Sequence, residues 1–198
     1  MKFISIETIS NICSVSLFEN NKIKDIIESS DDILHSKNLP LLFNEIVDKN
    51  KLSLKSLDFI ATSIGPGSYT GIKVGVNFSK GIAYGLDIPI IPVNSFDSIN
   101  TAINNKGRYY IALYSHKDYI YYQEFKDGFP CTDQMCDTAS ALKDYMIYGY
   151  QLNKINNLKY IEIYPSSENV GNFAISNYKK LATKDYDIIS SICITKVN

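Results

Sequence analysis

Along the first hundred residues the apolar positions change period several times, and each change marks an element. Phe3, Ser5 and Glu7 alternate with Ile4 and Ile6, so residues 3–8 predict a strand. Residues 12–19 and 23–29 follow as further strands after short polar breaks, and Asn20-Asn21 between them predicts a hairpin turn. The chain therefore opens with an antiparallel meander. From Ser36 to Asn50 the period becomes helical: Leu39, Leu42, Phe43, Ile46 and Val47 share one face, Leu41 lies off it, and Asn50 is a suitable terminator. Residues 57–64 predict a strand, the glycine-rich run 65–71 a turn, and residues 70–85 a second helix. Residues 88–93 form a short apolar run with two prolines, read as a buried or edge strand. Ser95 is placed to cap a helix running to about Asn104.

The turn-forming stretch Asn104-Asn105-Lys106-Gly107 is the best domain boundary. Beyond it, residues 109–114 and 119–125 predict a tyrosine-rich hairpin around His116-Lys117-Asp118. Residues 138–144 read as a short helix and residues 146–150 and 158–164 as strands. Ser166 or Ser167 caps a last helix to about Leu181. A meander feeding alternating strands and helices predicts an α/β chain of the actin-like ATPase (ribonuclease H-like) fold. The expected organisation is a complete N-terminal domain over 1–104 and a reduced second domain over 105–198, with its last helix packing back.

The loop from Gly65 to Gly71 lets backbone amides approach an anion at a helix N-terminus. The known fingerprints do not fit it. No register gives the lysine and hydroxyl of a P-loop, and a dinucleotide loop needs glycine where Thr70 stands. A tight strand-to-helix turn fits the spacing better. At about 100° per residue the following helix carries two apolar stripes. Ile72, Gly75, Val76, Ser79, Ile82 and Ala83 form one; Val74, Phe78, Gly81 and Gly85 form a second. A helix lying on a sheet needs a single stripe. Interior glycines cost roughly 1 kcal/mol each relative to alanine, and close approach of another helix would offset that. The second stripe suits either the chain's own helix over 36–50 or a partner, and one helix pair can serve both.

Bulk properties narrow the classes. The 198 residues are 45% hydrophobic and 21% charged with a formal net charge of −1, so any grip on RNA is expected to come from another subunit. The start of the chain does not read as a signal peptide and no apolar run is of bilayer length, which predicts a soluble, cytoplasmic protein. Cys13, Cys131, Cys136 and Cys193 make no metal-ligand spacing and read as buried thiols. His35 reads as a helix-start contact and His116 as a solvated turn residue. With two isolated histidines no hydrolytic triad is assembled. Tyr109, Tyr110, Tyr114, Tyr119, Tyr121 and Tyr122 offer base-stacking faces, but few basic residues interleave with them.

Three blocks carry a family resemblance. FISIETISNICSVSL from Phe3, HSKNLPLL from His35 to Leu42, and GPGSYTGIKVGVNFSKGIAYGLDIPIIPVNSFDSI from Gly65 resemble the TsaB (YeaZ) family in order and spacing. YPSSENVGNFA from Tyr164 to Ala174 and the tyrosine hairpin are similar more weakly, and the second half looks shortened, with an unusual end over residues 192–198. The resemblance implies a non-catalytic subunit for threonylcarbamoyladenosine formation on tRNA. Its implied partners are a TsaD-like transferase that it activates by dimerising, a TsaE-like ATPase in a ternary complex, itself as a homodimer, and tRNA indirectly, with no membrane. Family dimers use the two helices that correspond here to 36–50 and 70–85. The implied interface residues are Leu39, Leu42, Phe43, Ile46, Gly71, Val74, Gly75, Phe78 and Gly81. Where the catalytic paralogue carries an HxxxH metal pair, this chain has Ser95 and Ile99, so neither catalysis nor a metal or other cofactor is expected. A vestigial nucleotide site would comprise Glu7, Gly65, Gly67 and Ser68. The family usually has aspartate where Glu7 stands, and the extra methylene displaces the carboxylate. Glu7 otherwise reads as a strand-end surface carboxylate. Two alternatives stay open: an actin-fold small-molecule kinase or ATPase, and a homodimeric binding protein.

Overall fold

A computed structural model describes residues 1–30, 34–142, 144–192 and 194. Strands β1 (Lys2–Glu7), β2 (Cys13–Glu19) and β3 (Lys22–Ser29) form the opening meander. Asn20 and Asn21, with φ of 53° and 61°, make the tight turn between β2 and β3. Helix α1 (His35–Lys49) leads to β4 (Phe59–Ser63), then α2 (Tyr69–Leu86), β5 (Ile90–Val93) and α3 (Ser95–Asn100). β4 and β5 join parallel to β1, giving a sheet of order β3-β2-β1-β4-β5.

Alternation along β1 decides how this sheet is covered. Ile4 and Ile6 face one way, into a core with Leu39, Phe43 and Ile46 of α1 and Ile72 and Val76 of α2. Phe3 faces the other way, stacked between Phe18 and Phe59 at centroid distances of 4.6 and 4.1 Å. That second face is closed by α4 (Ser167–Leu181), whose Val170 and Ala174 are fully buried against it. A Cβ on Gly171 would lie 2.2 Å from the Phe18 ring, so glycine there sets the helix-to-sheet distance. A serine cluster fixes the helix start. Ser5 Oγ donates to Ser167 O at 2.7 Å, and Ser14 and Ser16 each share a hydrogen bond with Ser167 Oγ at 2.6 Å.

The second sheet has the order β11-β10-β6-β7-β8, with β9 also paired to β7. It comprises β6 (Arg108–His116), β7 (Tyr119–Lys126), β8 (Phe129–Pro130), β9 (Met135–Thr138), β10 (Met146–Tyr150) and β11 (Ile161–Glu162). Each sheet with the segments that cover it forms one lobe; Tyr109, Ile111 and Leu113 of β6 point into the core shared with the first lobe, while Tyr110 and Ala112 face a separate cluster with Leu152 and Ile155.

Several local expectations need correction. The cap of α3 is Asn94, whose side chain accepts from Phe96 N at 2.9 Å, and the helix ends at Asn100. Residues 135–138 form β9 followed by one tight helical turn at Ala139–Ala141, in place of a helix over 138–144. The predicted strand over 158–164 shrinks to Ile161–Glu162. Cys13 and Cys136 are buried as expected, but Cys131 is exposed; Cys193 lies outside the described residues. Tyr109, Tyr110 and Tyr122 are core residues, so they offer no faces for bases.

Candidate functional site

The α1–α2 pair is built from the loop upward. Ser68 caps α2, its hydroxyl accepting from Gly71 N at 3.3 Å. The helix then lies unusually close to β1. Thr8 Oγ1 donates to Gly71 O at 2.9 Å, and a Cβ on Gly71 or Gly75 would stand 2.0 or 2.3 Å from Thr8 oxygens. Gly75 of the first stripe, like Gly71 before it, is therefore offset by contact with Thr8 just beyond β1, where the sequence suggested a second helix. His35 sits in the same junction. Its Nε2 donates to Ser10 O at 2.6 Å, which makes it a helix-start contact.

The two stripes of α2 have different fates. Ile72, Gly75, Val76, Ser79 and Ala83 are buried, whereas Val74 and Phe78 are half-buried and Gly81 and Gly85 are exposed. A Cβ on either of the last two would meet no atom within 4 Å. Phe78 packs edge-on to Phe43 at 5.3 Å, so α1 covers part of the second stripe only. Away from that stripe, Leu41, Tyr69 and Tyr84 are 63, 63 and 75% exposed, with Tyr84 edge-on to Tyr186 at 5.8 Å. The nine expected interface residues divide accordingly. Leu39, Leu42, Phe43, Ile46, Gly71 and Gly75 are buried in the chain's own core and present no outer surface. Val74, Phe78 and Gly81 do present one.

A second feature is a cleft of about 560 Å³ between the lobes. Its walls are the β1–β2 turn (Ile9, Ser10, Asn11), the α2 start (Gly67, Ser68, Tyr69), the end of β6 (Leu113 to His116) with Tyr121, and Tyr150, Gln151 and Lys154. Gly67 and Ser68 reach it, as a vestigial nucleotide site would require. Glu7 and Gly65 do not. Glu7 is 1% exposed, and its Oε1 accepts from Ile9 N and Ser63 Oγ, both at 2.7 Å. The strand-end surface reading is therefore wrong: the longer side chain has folded inward to satisfy its own turn. Burial pushes the Glu7 carboxyl up to about 7 against the opposing pull of those hydrogen bonds. Burial, with the Glu7 charge behind it, pushes the Cys13 thiol up to about 12. Gly65 is roofed by Ile72 and Ile192, and Ile192 N donates to Ile64 O at 2.7 Å. His116, expected in a solvated turn, is exposed at the cleft rim and stacks on Tyr119 at 5.2 Å.

Ser95 and Ile99, which stand at the metal-pair positions, are both buried in α3. Among the described residues no group of three or more histidine, cysteine, aspartate or glutamate side chains is placed to hold a metal ion. Among them, too, no helix is long and apolar enough to cross a membrane.

Comparison with known proteins places this geometry. A family described as TsaD, tRNA N6-adenosine threonylcarbamoyltransferase, matches residues 28–181. The tRNA threonylcarbamoyladenosine biosynthesis protein TsaB of Haemophilus influenzae is 30% identical over 105 residues, which are 52% of this chain and 43% of that protein. Its counterpart in Escherichia coli is 25% identical over 129 residues, 64% of this chain and 55% of that one. The tRNA N6-adenosine threonylcarbamoyltransferase of Clostridioides difficile is 30% identical over 91 residues, 46% of this chain and 27% of that protein. The chain thus spans about half or less of the length of these relatives. Among solved structures, YeaZ from Pseudomonas aeruginosa superposes with a TM-score of 0.79 at 16% identity, over 98% of this chain and 99% of that one. An inorganic polyphosphate/ATP-glucomannokinase from an Arthrobacter strain superposes at 0.50 and 10% identity, over 90% of this chain and 99% of that one, a likeness of fold alone.

Proposed function

This chain belongs to the family described as TsaD, tRNA N6-adenosine threonylcarbamoyltransferase, and within it to the TsaB (YeaZ) group; on that premise we propose that it serves threonylcarbamoyladenosine formation on tRNA as a docking subunit that activates a TsaD-type transferase without performing the transfer. The observation that carries the proposal is the outer stripe of α2. Gly81 and Gly85 are left uncovered, and Val74 and Phe78 half-covered, on a helix whose inner stripe already satisfies its own sheet. The two exposed glycines allow a partner helix to approach closely, and the half-buried Val74 and Phe78 supply apolar area beside them. An interface on the order of 1,600 Å² would bury this face in a stable dimer. The same face would serve a homodimer in competition with the transferase, and a TsaE-like ATPase would join the heterodimer.

The transfer itself belongs to the partner in this reading, because serine and isoleucine stand where the paralogue's metal-binding histidines would be. A kinase or ATPase reaction by the chain alone lacks support of its own. Among the described residues, those lining the cleft include no carboxylate to hold magnesium, and Glu7 is bonded inward. Reconstitution tests the proposal. A TsaD-type transferase, with a source of threonylcarbamoyl-adenylate and the ATPase, modifies tRNA when this chain is added and stops when it is withheld. Equal modification without the chain would reject the role.

A further inference from the structure

We infer that residues 183–192, the passage that follows α4, are a brace that holds α2 in its docking pose, with Tyr186 as the positioning residue; the inference rests on the docking role proposed above. Gly81 and Gly85 lie in the last two turns of α2, where a Cβ would meet no atom within 4 Å. Glycines that leave room for a partner helix also weaken the helix that carries them, because glycine gives up the most backbone freedom on becoming helical. The end of α2 that must stay regular for docking is therefore the end least able to do so unaided.

The brace meets α2 at that end. The Tyr186 hydroxyl donates a shared hydrogen bond to Ile88 O at 2.9 Å and Ala83 O at 3.2 Å, and its ring stands edge-on to Tyr84. Lys184 Nζ lies 2.9 Å from the carboxylate of Asp87, the left-handed residue that ends the helix. At about 100° per residue, Tyr84 lies roughly 120° around the axis from Phe78, which packs on α1. The sheet thus holds the inner stripe of α2, and α1 and the brace hold its two flanks. The brace is itself anchored. Thr183 exchanges backbone hydrogen bonds with Ile90 at 2.9 and 3.1 Å, on the outer edge of β5. Ile189 is 4% exposed and packs into the main core. Ile192 is bonded to Ile64, just ahead of the loop that leads into α2. Tyr186 falls between the first two anchors, so its hydroxyl ties the last turn of α2 to a passage that the fold already immobilises.

Amide hydrogen exchange, read residue by residue by NMR on the isolated chain, tests the brace. Tyr186→Phe keeps the ring contact and removes the bond. Exchange at residues 85–88 is expected to quicken about fivefold, the effect of one lost hydrogen bond, and to stay at the parent's rate through α1 and the first half of α2. Tyr186→Ala, which removes the ring as well, is expected to quicken it further. Titration against a TsaD-type transferase is expected to show affinity falling in the same order, by about tenfold for Tyr186→Ala, because a loosened helix end depletes the form that docks. Ser166→Ala removes a hydrogen bond at the start of α4 instead, and leaves both readings at the parent's values. Exchange at residues 85–88 that is unchanged in Tyr186→Ala, or raised equally by Ser166→Ala, overturns the brace. Faster exchange with the parent's affinity overturns its part in docking. A parent that binds no transferase rejects the docking role itself, and the exchange rates then decide the brace alone.

Discussion

The two lobes solve the same problem, covering a sheet, with different materials. The first lobe uses long helices on both faces: α1 and α2 over Ile4 and Ile6, α4 over the Phe3–Phe18–Phe59 stack. The second uses tyrosines and short segments. One face of its sheet shares the first lobe's core, and the other is closed by Leu152, Ile155 and the tight turns around them. Helical cover leaves something over, since a helix wide enough to be apolar on two sides has only one sheet to lie on. That surplus is the outer stripe of α2. Tyrosine cover leaves hydroxyls that need acceptors, and Tyr109 and Tyr150 find theirs across the lobe boundary at Asn100 and Asn11. The proposed docking face thus lies on the first lobe, and the second ties two of its tyrosines to the first.

The contrast can be broken deliberately, starting with the first lobe's core. Phe3→Ala empties the centre of the aromatic stack under α4 and is expected to cost about 3–5 kcal/mol, read from urea unfolding. Next comes Glu7, through pH. The carboxyl titrates near 4.5 when free and near 7 in the fold. Between those values the unfolded chain gives up a proton that the folded chain keeps. Its contribution therefore falls as pH rises through that window, by about 1.4 kcal/mol per pH unit, and stays low above it. Glu7→Gln, which keeps an acceptor for Ile9 N and Ser63, is expected to gain on the parent at about pH 8 and to match it near pH 4.5. Equal differences at both pH values would mean that Glu7 is not held protonated. Smaller again is Ser166→Ala at the start of α4, where the lost cap to Glu168 N is expected to cost about 1 kcal/mol by the same urea measurement.

How much of this was legible in the sequence follows the same division. In the first lobe period and cap agree, so β1 to α2 lie within a few residues of their expected bounds, and the uncovered stripe was visible as surplus apolar positions at 74, 78, 81 and 85. What that pattern does not encode is what each glycine meets. Gly71 and Gly75 meet Thr8, whereas Gly81 and Gly85 meet nothing, and the same residue type serves opposite ends. In the second lobe β6, β7 and β10 lie close to their expected bounds, whereas the remaining strands are too short to set a period. β8 and β11 have two residues each, and β9 has four, so pairing partners rather than local preference decide them. Glu7 was misread for a related reason. A carboxylate at a strand end looks solvated until the turn behind it offers an amide and a hydroxyl.

The docking claim is tested most directly by a substitution that improves the isolated chain while spoiling its face. Gly81→Arg fills open space on the outer stripe of α2 and removes an interior helical glycine, so the chain itself is expected to gain roughly 0.5–1 kcal/mol. Sedimentation of each form with a TsaD-type transferase is the measurement. The account predicts a one-to-one complex for the parent and separate species for the more stable Gly81→Arg chain. Equal complex formation by both, or none by the parent, would contradict it.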